Sequence, residues 1–375
     1  MAGIYIHIPF CKQACSYCNF HFSTKRDTKT ELLSCIKNEL ISRRSYLDNE
    51  PIKSIYLGGG TPSLLNAVEL NELVGTIEDY FSVDNTVEIT LEANPDDLCK
   101  DYLKTIKDSK INRLSIGIQS FHNEDLKFMH RAHNRKQAIE SLENAINLQF
   151  NNINVDLIFG SPTTSNQMWE ENLNIFGSFG IQHLSAYSLT IENKTLLQHQ
   201  IKTNQIPAPD ESVALRHYET LQCFIVKNGF EQYEVSNYCK SEQYAVHNSN
   251  YWLDEKYLGI GPSAHSYNGN SRQWNISNNN AYIKKVKNND PYHQIELLSE
   301  IDKYNEYLIN SLRTKWGINI LKLSQKFSDK IVNHFNKQVT LLSANLVSLT
   351  KDQLLVKKEK LFQSDEIVRH LMMEV

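Results

Sequence analysis

The stretch YIHIPFCKQACSYCNF, residues 5–20, decides how the chain is read. Apolar Ile4, Ile6 and Ile8 alternate with Tyr5 and His7, which predicts a strand over Ile4–Ile8. That strand runs directly into three thiols, Cys11, Cys15 and Cys18, crowded into eight positions. Three thiolates on one short loop can wrap a cuboidal iron–sulfur cluster and ligate three of its irons, leaving the fourth iron open to an outside ligand. Two other readings compete. His21 could complete a Cys3His zinc tetrahedron, but structural zinc usually draws its ligands as two pairs from separated segments, and no second CxxC or HxxxH follows. CSYC could be a redox dithiol, but it begins at the second cysteine and lacks a thioredoxin-like context.

Outward from the loop, β-branched runs alternate with helical patterns as far as about residue 190. The predicted strands are Ile4–Ile8, Ile52–Leu57, Thr86–Ala93, Arg113–Gln119, Asn152–Phe159 and His183–Leu189. Between them lie segments with apolar residues at helical spacing, such as TKTELLSCIKNELISRRSYL and LNAVELNELVGTIEDYF. Six βα units imply a parallel sheet, either open and doubly wound or bent into an incomplete (β/α)6 barrel; periodicity alone does not separate these. In both, ligands gather at the carboxyl ends of the strands.

Residues 231–295 are mixed and rich in Gly, Asn and Tyr, after a main domain over 1–230. From 296 to 375 helical patterns such as IDKYNEYLINSLRT precede an expected hairpin at QLLVKKEKLFQS, giving a small, mainly helical unit that resembles a winged helix. The balance of 39 Lys+Arg against 43 Asp+Glu gives a net charge of −4, so no basic field supports a nucleic-acid partner. A docking or lid role is expected of the last unit instead. The start MAGIYIHIPF has no basic leader, and no run approaches the ~18 apolar residues of a spanning helix, so a cytoplasmic protein is expected. Cys35, Cys99, Cys223 and Cys239 are scattered and read as incidental thiols.

Other polar and glycine residues fall at predicted strand ends. Gly58, Gly59 and Gly60 precede Thr61 and Pro62, and glycine lets backbone groups come close to a ligand. The run lacks the lysine of a phosphate loop and the spacing of a dinucleotide fingerprint. Glu92, Gln119, Arg131 and Asp156 each end a strand or follow one. Together they offer acceptors for ammonium and hydroxyl groups and a cation for a carboxylate.

CxxxCxxC after a first strand resembles the radical S-adenosylmethionine superfamily. Within it, YIHIPFCKQACSYCNF is similar to the branch that holds oxygen-independent coproporphyrinogen III dehydrogenase and the haem chaperones. GGGTP, LEANPDD, LSIGIQSF, HRAHN, VDLIFGSP and GIGPSAHS extend the likeness over most of residues 3–290. The resemblance implies an incomplete parallel barrel carrying a [4Fe–4S] cluster on Cys11, Cys15 and Cys18. It also implies S-adenosylmethionine held by Tyr5, Tyr17, Gly59, Gly60, Thr61, Glu92, Gln119, Arg131, Asp156 and Thr190. If the superfamily chemistry operates, an electron from the cluster cleaves that cofactor to a 5′-deoxyadenosyl radical.

Two departures favour the chaperone side of the branch. Phe20 stands where the dehydrogenase resemblance would lead one to expect a fourth cysteine, and the first strand begins almost at Met1, where a long extension would be expected. HNSNYW, residues 247–252, looks like the HNxxYW segment of the haem chaperones. His247 could ligate haem iron, and Tyr251 and Trp252 could pack on the macrocycle. A buried, hydrogen-bonded histidine among core aromatics is the plainer reading of the same residues. His265 and His7 are further imidazoles of lower rank. The implied partners are haem and haem-requiring respiratory client proteins at the membrane surface; whether the chain forms a homodimer, and whether it turns over a substrate, the sequence leaves open.

Overall fold

The structure is a computed structural model and describes residues 2–374. The expected rhythm is present as β1 (Ala2–Ile8), α1 (Lys29–Ser42), β2 (Ile52–Gly59), α2 (Ala67–Tyr80), β3 (Val83–Ala93), α3 (Lys100–Lys107) and β4 (Arg113–Gln119). It continues with α4 (Asn123–Phe128), α5 (Arg135–Asn147), β5 (Ile153–Phe159), α6 (Asn166–Ser178) and β6 (His183–Ser188). These strands pair in parallel and in sequence order. Parallel strands are covered on both faces by crossover helices, and β4 accordingly is buried at every position of RLSIGIQ. Helix starts are fixed locally: Asn66 and Asn134 each form a capping box, and Ser165 accepts from the Met168 N–H.

After α7 (Leu196–Lys202) and α8 (Glu211–Lys227), the chain does not leave this sheet. The short strands β7 (Glu231–Gln232) and β8 (Asn237–Cys239) add antiparallel beyond β6. Then α9 (Val246–Trp252) crosses to the other edge, where β9 (Lys256–Ile260) pairs in parallel with β1. The strands β10 (His265–Tyr267) and β11 (Ser271–Asn275) follow antiparallel, then α10 (Asn279–Asn288) and β12 (His293–Leu297). The sheet thus has twelve strands and two ends, β12 and β7, so the bent parallel part is an open barrel. The mixed segment of the sequence supplies both margins.

The C-terminal unit has α11 (Glu300–Leu312), β13 (Ile318–Asn319), α12 (Ile320–Lys326), α13 (Asp329–Val339), β14 (Val347–Leu349), β15 (Gln353–Val356) and α14 (Ser364–Leu371). Its own core runs from Tyr304 to Leu371. Helices and a three-stranded sheet bear out the winged-helix-like pattern, but the hairpin at 353–364 is corrected. Only Gln353–Val356 is strand there; its partners lie upstream in β14 and β13, and Lys358–Gln363 is a 3-10 helix. The first half of the expected hairpin, QLLV, is strand, and the charged KKEK that follows gives up strand pairing for a turn. Lys315 joins this unit to the barrel through Glu231 at 2.8 Å. Among the described residues no helix is long and apolar enough to cross a membrane.

Candidate functional site

The cysteine loop leaves β1 at its carboxyl end and is pinned at its base. The Cys11 N–H donates to the Ser23 carbonyl at 3.0 Å, the Ser23 N–H donates to the Pro9 carbonyl at 2.8 Å, and Phe10 is fully buried beneath. Between these ends, separate parts of the barrel hold the loop. Lys12 is paired with Asp96 at 2.8 Å and with Asp97. Gln13 donates to the His130 carbonyl at 2.9 Å, and Ser16 donates to Met129 and Phe128 carbonyls at 3.1 Å each. The Leu197 N–H donates to the Ser16 carbonyl at 2.8 Å, and Asn19 donates to Glu192 at 2.9 Å. The loop is therefore rigid where its thiols must keep fixed spacing.

All three thiols are half-buried and unpaired. Burial pushes Cys11 up to about 11 and Cys18 upward as well, which disfavours free thiolates; coordination to iron reverses that preference. His21, the fourth ligand of the zinc alternative, has its Nε2 2.7 Å from Asn279 Oδ1 and its ring stacked on His7. Among the described residues, no three His, Cys, Asp or Glu side chains converge as they would around one ion. A cuboidal cluster needs a wider spacing than a single ion does.

The thiols open onto a cavity of about 600 Å³. Tyr17, Gly59, Gly60, Thr61, Glu92, Gln119, Arg131, Asp156 and Thr190, nine of the ten positions expected to contact S-adenosylmethionine, line the same cavity. Gly59 sits at φ +111°, in the region that favours glycine, and a Cβ at Gly60 would lie 2.7 Å from the Phe10 carbonyl oxygen. Gln119 ends β4 at φ +65°, a left-handed turn that aims the strand end into the cavity. Glu92 accepts from the Tyr56 hydroxyl at 2.8 Å and from the Gly59 N–H at 3.0 Å. Its carboxyl is pushed up to about 7 by burial, with the nearby Asp156 adding to the effect. Burial raises Asp156 too, against hydrogen bonds from Asn154 at 2.7 Å and Ser115 at 3.4 Å.

Arg131 is the cation of the cavity. Its Nη2 donates to Asn94 Oδ1 at 2.6 Å and to the Gly117 carbonyl at 2.8 Å, and its Nη1 lies 3.4 Å from Cys15 Sγ. Its Nε is buried with no partner among the described residues, leaving a donor for an anionic group. Burial opposes the charge, but Tyr17 and Cys15 hold it firmly protonated. Asn94 and Gly117 were missed by sequence reasoning. A signal existed: Asn94 follows Glu92 in LEANPDD, and Gly117 precedes Gln119 in LSIGIQSF, where a Cβ would meet Gln119 Nε2 at 2.8 Å. A carboxylate, an ammonium and hydroxyls all find partners here, so the residues present fit the cofactor.

Tyr5, the tenth position, lies deeper, in an inner chamber of about 240 Å³ that shares Glu92, Ser115, Asp156 and Tyr187 with the main cavity. Its hydroxyl is 3.2 Å from His7 Nδ1, whose Nε2 meets the His21 carbonyl at 2.8 Å. His247 and Tyr251 also line this chamber, whereas Trp252 lines neither space. His247 is the residue expected to contact haem. The imidazole is 3% exposed; Nδ1 is 2.8 Å from Ser54 Oγ and Nε2 is 3.1 Å from the Tyr251 hydroxyl. It stacks on Tyr56. Both ring nitrogens thus have a hydroxyl group within hydrogen-bond reach.

Comparison with known proteins follows the same lines. Residues 5–175 match the radical SAM superfamily and residues 298–362 match the HemN C-terminal domain. The chain is 32% identical to the protein named heme chaperone HemW of Bacillus subtilis over 330 residues, 87% of each chain. The chain belongs to the radical SAM superfamily, in the branch of HemW and HemN. It is also 32% identical to the HemW of Lactococcus lactis, with 90% of this chain and 88% of that one aligned. Among solved structures it superposes on HemN of Escherichia coli, titled a coproporphyrinogen III oxidase and radical SAM enzyme, with TM-score 0.86 at 20% identity, over 100% of this chain and 90% of that one. At that identity the likeness concerns the fold, which is the α/β radical SAM fold with its parallel sheet and helical C-terminal domain.

Proposed function

We propose that this chain is a cytoplasmic haem chaperone: it binds haem and delivers it to haem-requiring respiratory proteins while carrying a [4Fe–4S] cluster and S-adenosylmethionine. The observation that carries the cofactor part is the opening of Cys11, Cys15 and Cys18 onto one cavity with Glu92, Gln119, Arg131 and Asp156. When bound, the cluster supplies one-electron reducing power and one iron open to a ligand. The chain's residues do the rest. Arg131 offers its free Nε to the carboxylate, Glu92 and the backbone at Gly59 and Gly60 receive the amino-acid end, and Asp156 accepts from ribose hydroxyls. Tyr17 and Thr190 bracket the adenine side and, with the tethered loop, keep water from the sulfonium.

The haem part rests on relatives named as heme chaperones that align over most of their length. Phe20 supports it: 68% exposed beside the thiols, it stands where a dehydrogenase would be expected to carry a further cysteine. Anaerobically purified protein tests the reading. Iron and sulfide in equal amounts, a haem absorption band on titration and no conversion of coproporphyrinogen III are expected; robust conversion would reject the chaperone function, and zinc in place of iron would reject the cluster.

A further inference from the structure

The helix that carries HNSNYW is covered from two sides. His247, Asn250 and Tyr251 recur at helical spacing and form its inner face: His247 Nδ1 lies 2.8 Å from Ser54 Oγ, and Asn250 donates to the same hydroxyl at 3.4 Å. α9 packs against β1, β2 and β9 of the barrel, and α11 of the C-terminal unit packs against α9 in turn. Ser249 and Trp252, three positions apart, fall on the face turned away from Ser54. Ser249 Oγ and Trp252 Nε1 are both buried with no hydrogen-bond partner among the described residues. The segment expected to meet haem is therefore closed off, with His247 only 3% exposed, and something must uncover it before a macrocycle can reach it.

The C-terminal unit has a core separate from that of the barrel, so it can move as one body, and it is fixed to the barrel in two different ways. Near β7 and β8 the contacts are apolar: Val235 packs against the C-terminal core, Tyr218 stacks on Phe362 with centroids 4.7 Å apart, and Trp316 lies against Tyr233 and Tyr244. The Lys315 N–H also donates to the Tyr233 carbonyl there, at 3.0 Å. Beside α9 two ion pairs hold the unit instead. Lys326, the last residue of α12, pairs with Asp254, which follows α9 at φ +64° and also accepts from the Tyr267 hydroxyl at 2.6 Å. Glu306 of α11 pairs with Arg272 of β11 at 3.0 Å. Parting apolar surfaces forfeits their burial, whereas half-exposed ion pairs exchange their partners for water at little net cost. The unit thus has a hinge side and a latch side, and the unpartnered groups of Ser249 and Trp252 regain water when the latch side lifts.

We propose that the C-terminal unit is a cover over α9, latched by the Lys326–Asp254 and Arg272–Glu306 pairs, and that its opening presents HNSNYW to haem. The cover deepens the chaperone reading and rests on it for the ligand. Amide hydrogen exchange of the whole chain, read by mass spectrometry with α5 as internal reference, tests the movement; stopped-flow association of haem tests its use. Lys326→Glu is expected to speed exchange over Val246–Trp252 about tenfold or more and haem association about threefold or more, with α5 unchanged. Joining it to Asp254→Lys, which restores the pair with its charges exchanged, should bring both rates back toward the parent. Added salt should speed exchange of α9 in the parent and much less in Lys326→Gln. Exchange of α9 that is unchanged in Lys326→Glu, or raised equally in α5, overturns the cover. Faster exchange with unchanged haem association overturns the gating and leaves the chaperone reading intact. A parent chain that binds no haem overturns that reading and the gating with it, while exchange still decides whether the cover opens.

Discussion

Arg131 touches the cluster loop and the cavity at once: its Nη1 lies 3.4 Å from Cys15 Sγ, while Asn94 and the Gly117 carbonyl fix its other terminal nitrogen. A neutral side chain here removes the cation for the cofactor carboxylate and a contact to a cluster ligand. Arg131→Gln is expected to weaken S-adenosylmethionine binding about tenfold or more and to shift the reduction potential of the reconstituted cluster. Equilibrium dialysis and redox titration read the two effects separately.

Each of Cys11→Ala, Cys15→Ala and Cys18→Ala should abolish the iron and sulfide content of anaerobically purified protein. Circular dichroism should change little, because the loop is held by Lys12, Gln13, Ser16 and Asn19 through contacts that do not use the thiols.

Glu92 couples binding to stability in opposite senses. Burial raises its carboxyl from 4.5 to about 7, so the folded chain favours the protonated form. Its contribution is complete below about pH 4.5 and is lost as pH rises through about 7, where an ionised carboxylate must sit buried near Asp156. Without cofactor, Glu92→Gln should be more thermally stable than the parent at pH 8 and no different at pH 4. It should also bind S-adenosylmethionine about tenfold or more weakly.

His247 makes the reverse prediction. Burial, aided by the Arg113 charge, lowers it from 6.5 to about 3, so the unfolded chain takes up the proton first. The stability it contributes is present above pH 6.5 and drains as pH falls toward 3. His247→Ala should cost about 2–4 kcal/mol at pH 7.5 through the lost Ser54 and Tyr251 bonds and the void left behind. It should also show a shallower drop in melting temperature between pH 7 and pH 5.

Glu39 is fully buried in α1 and binds Arg43, the Tyr282 hydroxyl at 2.5 Å, Asn275 at 2.7 Å and the Gly261 N–H at 2.9 Å. It thereby fastens the loop between β9 and β10 to the barrel. Glu39→Ala leaves Arg43 without its buried partner and is expected to cost about 3–5 kcal/mol in denaturant unfolding.

The six βα units could be read from the sequence because burial on both faces forces continuous runs such as RLSIGIQ, and strand ends then collect the motifs. Order within the sheet is another matter. Nothing local in KYLGI says that it pairs with the first strand, since that neighbour is chosen by the path of α9 across the barrel. The same holds for the site. Glu92, Gln119, Arg131 and Asp156 announced themselves by position, but the hold of Asn94 and Gly117 on Arg131 is a three-dimensional relation. For HNSNYW, residue type alone favoured a core histidine and the family resemblance pointed to a ligand, whereas the contacts of the ring with Ser54 and of its backbone N–H with Glu88, both far away in sequence, were not legible at all.

The anchors of the cysteine loop also set a timetable for synthesis. Its partners lie at residues 96–97, at 128–130 and finally at 192 and 197. A nascent chain that has emerged only through the fifth strand possesses all three cysteines but not the last two clasps. Metal loading on the ribosome would meet a loop still hinged open, so stable insertion belongs after α7 has been made.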